Sequence, residues 1–428
     1  MRRPRRHGLP KSAVPAMLLC SGVAVSVLCA TSAMGGAAPL PAPEQKYLGM
    51  ILGDGRYLEG WLGLERSAGK PGADPDAIAL ARSFVLGGSV DYRPADEDCE
   101  AGSLQSALSG AQPSDAIGEI VERAKRSRVV ILNENHSTPR HRAFALQLAR
   151  ALRPLGYRHL AAEAINDRMT DDAAAAATEK IRRRGYIVRS DGIYTNEAMF
   201  ADFLKQALGL GYRLHSYDGN PPGAVDPVAA REEWQAQTIA RRVIVKYPED
   251  KVLIYVGFRH ATEIPFDGGL GRRESWMATR LARITGLDPL TIDQRQPVPQ
   301  GCLPGRLVSR VMRASPTGSV VFKKNGRDVG VGDYAGVVDL NVLHFPVPAV
   351  RSRPGWMAAL GRRAVEVPKG LLAKDKHSLV ELHVKGSSPD AIALDRVLVR
   401  PGERNPPPLL TSERDIEIRV QAAPPSAP

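Results

Sequence analysis

Two stretches decide how this chain folds: Val129-Val130-Ile131-Leu132-Asn133-Glu134-Asn135-His136 and Val252-Leu253-Ile254-Tyr255-Val256-Gly257-Phe258-Arg259-His260. Each is an apolar, β-branched run that breaks at a small or turn-prone residue and then delivers a histidine. A strand buried on both faces of a parallel sheet reads this way. Open α/β sheets bind ligands in the crevice just beyond the carboxyl ends of their strands. Two histidines and a glutamate placed there form a candidate active site.

Outward from these runs, strands and helices alternate. The pattern predicts strands at Arg128–Leu132, Tyr157–Ala162, Tyr212–Tyr217, Lys251–Val256 and Pro289–Ile292. Between them it predicts helices at Pro139–Arg153, Asp171–Arg184, Asn196–Leu208, Pro227–Lys246 and Glu274–Thr285. Pro139 and Pro227 suit a first helical turn, with Ser137 or Thr138 and Asp226 as caps. The expected fold class is therefore α/β, a mostly parallel sheet with helices on both faces. Right-handed crossovers put all strand carboxyl ends on one edge. Titratable residues stand at every such end: Glu134 with His136, Glu163, Asp218, His260 and Asp293.

The flanking regions read differently. Arg2, Arg3, Arg5, Arg6 and Lys11 precede an apolar stretch from Ala13 to Ala33 and the small residues Gly35 to Ala38. This is the pattern of a signal peptide over residues 1–37, so a secreted or periplasmic location is expected. The rival reading is an uncleaved anchor; no other segment approaches the ~20 apolar residues of a span. Residues 38–104, rich in Gly, Pro and Ala, read as an irregular segment, and 105–300 as the α/β domain. Residues 301–428 read as a β-rich region, with short strands around Val320–Phe322, Val337–His344, Val380–Val384 and Ile416–Val420 and a turn at Asn325-Gly326.

Cys20 and Cys29 fall in the leader, which leaves Cys99 and Cys302 to form an expected disulfide in an oxidising compartment. The formal net charge is +12, but the leader supplies part of it and aromatic residues are only 5%. No basic stripe is interleaved with aromatics, so no nucleic-acid partner is expected. The sequence has no His-Glu-x-x-His, no Gly-x-Ser-x-Gly and no phosphate loop, which removes three common catalytic frameworks.

Glu134 and His136, two apart, would share one side of an extended chain, and a carboxylate beside an imidazole is a general acid–base pair. Glu163 closes an apolar run and needs a cationic partner. Arg140, Arg142 and Asp218 are candidate substrate-binding groups, and His344 could join the site. Two histidines and two carboxylates, His136, His260, Glu134 and Glu163, also form a credible ligand set for a divalent metal.

The Glu134-Asn135-His136 motif, Glu163 after the next strand, and Gly257-Phe258-Arg259-His260 together resemble the superfamily of erythromycin esterases, haem-binding ChaN proteins and TraB/TIKI proteins. The likeness spans roughly residues 115–295. Asn133 stands where that superfamily usually has Gly. The Glu-x-His spacing is closer to the ChaN and TIKI pattern than to the esterases' Glu-x-x-His. The resemblance implies one of two activities. The first is a hydrolase, esterase-like or metal-dependent, acting on an ester, lactone or peptide. The second is a haem- or iron-binding protein of the ChaN type.

Overall fold

The computed structural model describes residues 42–423, apart from 69, 71–72, 88–100, 167–169, 220, 222 and 300–302. The expected leader and the expected Cys99–Cys302 disulfide fall outside the described residues. After a short strand β1 (Gln112–Asp115) come β2 (Val129–Glu134), β3 (Tyr157–Ala162), β4 (Arg213–His215), β5 (Lys251–Gly257) and β6 (Leu290–Asp293). Strands β2 to β6, joined by β9 (Leu340–Asn341), form a six-stranded sheet in the order β4-β3-β5-β2-β6-β9. Every pairing in it is parallel. Glu134 pairs with Gly257 and Ala162 with Tyr255, so the carboxyl ends of the three central strands are level.

Side chains alternate across these strands, and each face has its own apolar layer. Val130, Leu132, Leu160, Leu253 and Tyr255 pack with Phe144, Leu148, Phe200 and Phe203 from the helices Pro139–Leu152 and Ala198–Gly209. Val129, Ile131, Ile254 and Val256 pack on the other face with Ala236, Ile239, Met277 and Leu281, from the helices Pro227–Ile239 and Met277–Thr285. The Pro227 helix starts as its sequence signals: Pro227 takes the first position and the Asp226 side chain accepts from Ala229 N–H. The protein is thus an α/β fold with helices on both faces of a parallel sheet.

The segment read as irregular is helical where it is described, at Ala42–Gly49, Tyr57–Glu65 and Pro75–Leu86. Glycine misled the reading because here it serves close packing rather than turns. A Cβ on Gly63 would lie 2.2 Å from the Tyr47 ring, and one on Gly60 would lie 2.6 Å from Ile51 Cγ1.

Antiparallel strands prevail toward the C-terminus. Strand β7 (Ser319–Lys324) pairs with β1, β8 (Arg327–Asp328) and β10 (Leu343–His344). Strands β11 (Arg363–Val365) and β14 (Leu409–Thr411) form a ribbon, and β12 (Ser378–Val384) lies between β13 (Asp395–Val399) and β15 (Ile416–Ala422). A boundary at residue 300 does not separate the two regions. Strand β9 covers the edge of β6 in the parallel sheet, and β1 leaves the α/β part to pair with β7. An uncovered edge would present unpaired backbone groups. Among the described residues no helix is long and apolar enough to cross a membrane.

Candidate active site

The centre is the turn after β2. His136 Nδ1 lies 2.7 Å from Glu134 Oε1, both side chains being almost fully buried. Glu134 is held from the other side as well. Arg142 reaches Oε2 through Nε at 2.9 Å and Oε1 through Nη2 at 3.1 Å, and the Tyr255 hydroxyl donates to Oε2 at 2.6 Å. Burial acts to raise the Glu134 carboxyl, but Arg142 and His136 outweigh it and hold it at about 2. An ionised Glu134 has only acceptors, so the hydrogen in the 2.7 Å contact belongs to His136 Nδ1. In the neutral ring Nε2 then carries the lone pair. That atom is buried and has no hydrogen-bond partner among the described residues.

Aromatic groups fix the ring. Tyr194 stacks on His136 with centroids 3.8 Å apart and planes at 12°, and Phe258 meets it edge-on at 5.0 Å. The Tyr194 hydroxyl is also buried with no hydrogen-bond partner among the described residues. Phe258 has a φ of 45°, a conformation costly for an aromatic residue, and Asn133 Nδ2 donates to its carbonyl at 2.9 Å. Gly257 leaves room beneath: a Cβ there would lie 2.6 Å from His136 Nε2 and 3.1 Å from Glu163 Oε2. His136 and Glu163 therefore converge on one point at the end of β5.

Glu163 belongs to a second network. Its Oε2 accepts from Gly257 N–H, and its Oε1 accepts from Arg231 at 2.7 Å. Arg231 also grips Asp218 in a fork, with both contacts at 2.9 Å, and Gln235 donates to the same carboxylate at 2.8 Å. Asp218 is drawn down because Arg231, helped by the Arg231 and Gln235 hydrogen bonds, overcomes the burial that would raise it. His260 Nδ1 lies 2.8 Å from Glu232 Oε2, and its Nε2 lies 3.5 Å from Glu163 Oε1. Burial would lower this imidazole, yet the two carboxylates raise it, so His260 favours the cationic form more than a free histidine does.

The four expected site residues, Glu134, His136, Glu163 and His260, thus gather at one edge of the sheet, with Asp218 beside them. Arg142 is not presented to a substrate. It is fully buried between Glu134 and Glu197, 2.9 Å from the latter, and donates to His136 O at 2.7 Å. Arg140 points toward the C-terminal strands and donates to the carbonyls of Thr317 and Phe345. Both lie in the first turn of the helix that follows the β2 turn, which tucks them beneath the strand ends. Asp293 is structural, accepting from Asn133 and Asn341 and tying together the ends of β2, β6 and β9. Asn133, where the resembling superfamily has Gly, makes that tie. His344 stays away from the crevice, bonded to Ser319 and Gln294.

The donor set does not suit a metal ion. The Glu134 and Glu163 oxygens already accept from arginine, tyrosine, histidine and backbone groups, and a cation would have to displace buried guanidinium groups. Among the described residues no cluster of three or more His, Cys, Asp or Glu side chains is placed to hold a metal.

Sequence reading missed Arg231, Glu232, Tyr194 and Tyr255. Tyr255 had a usable signal, a lone hydroxyl within an otherwise aliphatic buried strand. Arg231 and Gln235, four apart, share a helix face, a spacing too common to single out.

No protein-family model and no curated protein matches the chain. Among solved structures it is similar to the type III effector HopBA1, with a TM-score of 0.26 and 15% identity over 36% of this chain and 77% of that one. It is also similar to RRSP, a MARTX toxin effector domain from Vibrio vulnificus CMCP6, with a TM-score of 0.31 and 12% identity over 66% of each chain. A structure of bacterial protein toxins gives a TM-score of 0.33 and 13% identity, over 58% of this chain and 56% of that one. Likenesses this faint leave fold and function to be argued from the chain itself.

Proposed function

We propose that the protein is an exported hydrolase acting on an ester, lactone or peptide, with His136 as general base. One observation carries this reading: His136 Nε2 is buried with no partner among the described residues, while its Nδ1 is fixed on an ionised glutamate. Such a ring has one tautomer and one direction in which to accept a proton. Water bonded to Nε2 would give up its proton to that nitrogen as its oxygen attacks the carbonyl carbon. The carbonyl electron pair would move to oxygen, toward the positive charge of His260 and Arg231. Collapse of that oxyanion would break the bond to the leaving group, which takes the proton back from Nε2. Glu134 orients and stabilises the imidazolium, and Arg142 keeps Glu134 ionised. No step requires a metal.

The test is a substrate screen over esters, lactones, amides and peptides, run with and without exhaustive chelation. His136→Ala should lower kcat/KM by about 10²–10⁴-fold with an unchanged thermal midpoint, and chelation should have no effect. Wild-type turnover in His136→Ala would sink the proposal, and loss of activity on chelation would restore the metal-dependent reading. A Soret band on haem titration that disappears in His136→Ala would favour the haem-binding alternative, in which His136 would hold the iron.

A further inference from the structure

Next to His136, on the far side of Phe258, lies a pocket of about 330 Å³ lined by Phe258, Arg259, Phe266, Gly268, Arg295 and Tyr334 among others. Its two arginines lie over aromatic rings. The Arg295 guanidinium sits 4.6 Å from the Phe258 centroid and 4.7 Å from that of Tyr334, and Arg259 lies 4.9 Å from the Trp276 ring. Arg259 is itself buried, at 8% exposure, and donates to the Gly268 carbonyl. The glycine loop closes tightly on it: Gly268 has a φ of +59°, and a Cβ there would lie 2.7 Å from Arg259 Cδ. Arg295 donates to the Tyr334 hydroxyl, and its Nε is buried with no partner among the described residues.

Neither arginine forms an ion pair with a carboxylate among the described residues, although Asp267 and Asp333 also line the pocket. Asp267 instead accepts from the backbone of Gly269 and Gly271. Most other buried arginines here are clamped by carboxylates, as Arg142, Arg353 and Arg396 show. Burial lowers the Arg259 guanidinium, and Arg295 and Arg231 lower it further by repulsion. A stacked guanidinium keeps its plane and offers its edge N–H groups as a fork, the geometry that receives a carboxylate or phosphate.

We propose that this pocket binds an oxyanion, a carboxylate or phosphate carried by the substrate, between Arg259 and Arg295. Resting on the hydrolytic reading, this narrows the substrate class to esters or amides with an anionic group close to the scissile bond. Phe258 forms the wall shared by the two sites, with its ring edge on His136 and its face on Arg295.

The experiment is calorimetric titration of the full chain at low ionic strength with inorganic phosphate and, separately, with succinate. Saturable binding of either anion is expected, and whichever binds identifies the substrate's charged group. Arg295→Gln should weaken it by about tenfold or more, whereas His136→Ala should leave it within about twofold. If Arg295→Gln fails to fold, Arg295→Lys, which keeps the charge but loses the fork, should show the same direction of effect. No saturable binding of either anion, or wild-type affinity in the Arg295 variant that folds, would overturn the proposal. A protein that binds the anions but turns over no substrate loses the hydrolytic reading and keeps this one. A protein that hydrolyses neutral esters and ignores both anions does the reverse.

Discussion

Gly257 shows how narrowly His136 is seated. Its backbone, at φ −85° and ψ 146°, is open to any residue, so a side chain is excluded by contact and not by conformation. Gly257→Ala would put a methyl group 2.6 Å from His136 Nε2, and the ring must move. A displacement near 1 Å at a reacting group costs about 10²-fold in rate, so kcat/KM should fall by that order while circular dichroism stays native. Undiminished activity in Gly257→Ala would mean that Nε2 is not the working atom. At this scale the sequence was most legible where chemistry meets a strand end. Glu134, His136, Glu163, Asp218 and His260 could be placed because an apolar run pointed at each. Arg142 could not be assigned its role, because sequence spacing says nothing of which acceptor a long side chain will find. Tyr194 was hidden for a related reason: it reaches the site from a single 3-10 turn, Tyr194–Asn196, with no periodic pattern around it.

The elements of the parallel sheet were read nearly as they form. Tyr157–Ala162 and Asp171–Arg184 stand at the expected residues. The strand expected at Arg128–Leu132 runs on through Glu134, because Asn133 and Glu134 find buried partners that let polar residues continue the ladder. The Pro227 helix ends at Ile239 as an α-helix and continues to Val245 with wider π turns. Hydrophobic periodicity succeeded here because each strand is buried on both faces. It failed within residues 42–86, where helices pack through glycine contacts that composition cannot distinguish from loop. The strand read at Val337–His344 contains β9, but periodicity does not show that β9 joins the parallel sheet, since that place comes from edge pairing 48 residues beyond β6. Strands β13 and β14 also went unread. Asp395 and Arg396 in β13 are buried with Arg353 and Glu381 as ion-pair partners, so the strand's apolar run is cut to Val397–Val399.

Over the whole molecule, titratable groups set a stability window in pH. Burial first, then nearby cations, holds His141 at about 3, and burial with His159 beside it holds His215 at about 3; His344 is depressed as well. These histidines fold neutral. Their contribution is present above the unfolded value of 6.5 and is lost as pH falls toward their folded values. Glu134 and Glu381, each held at about 2 against an ordinary 4.5, add a second loss below pH 4.5. His260 works the other way. Raised in the fold, its contribution is full below 6.5 and is lost as pH rises through its folded value. The urea midpoint should therefore peak near neutrality and fall more steeply on the acid side. An unchanged midpoint between pH 7 and pH 4 would refute that balance. Described residues far apart in sequence also meet. The Arg396 guanidinium lies 3.6 Å from the Tyr57 ring centre and donates to Phe84 O, while Gln421 donates to Gly55 O. On the ribosome, the helices at Tyr57–Glu65 and Pro75–Leu86 are made well before Arg396 and Gln421, which contact this region. The helices lack these contacts until β13 and β15 have been made, so residues 42–86 cannot complete their packing as they emerge. Nascent chains halted before β12 should lose residues 42–86 to protease, whereas chains released after β15 should keep them.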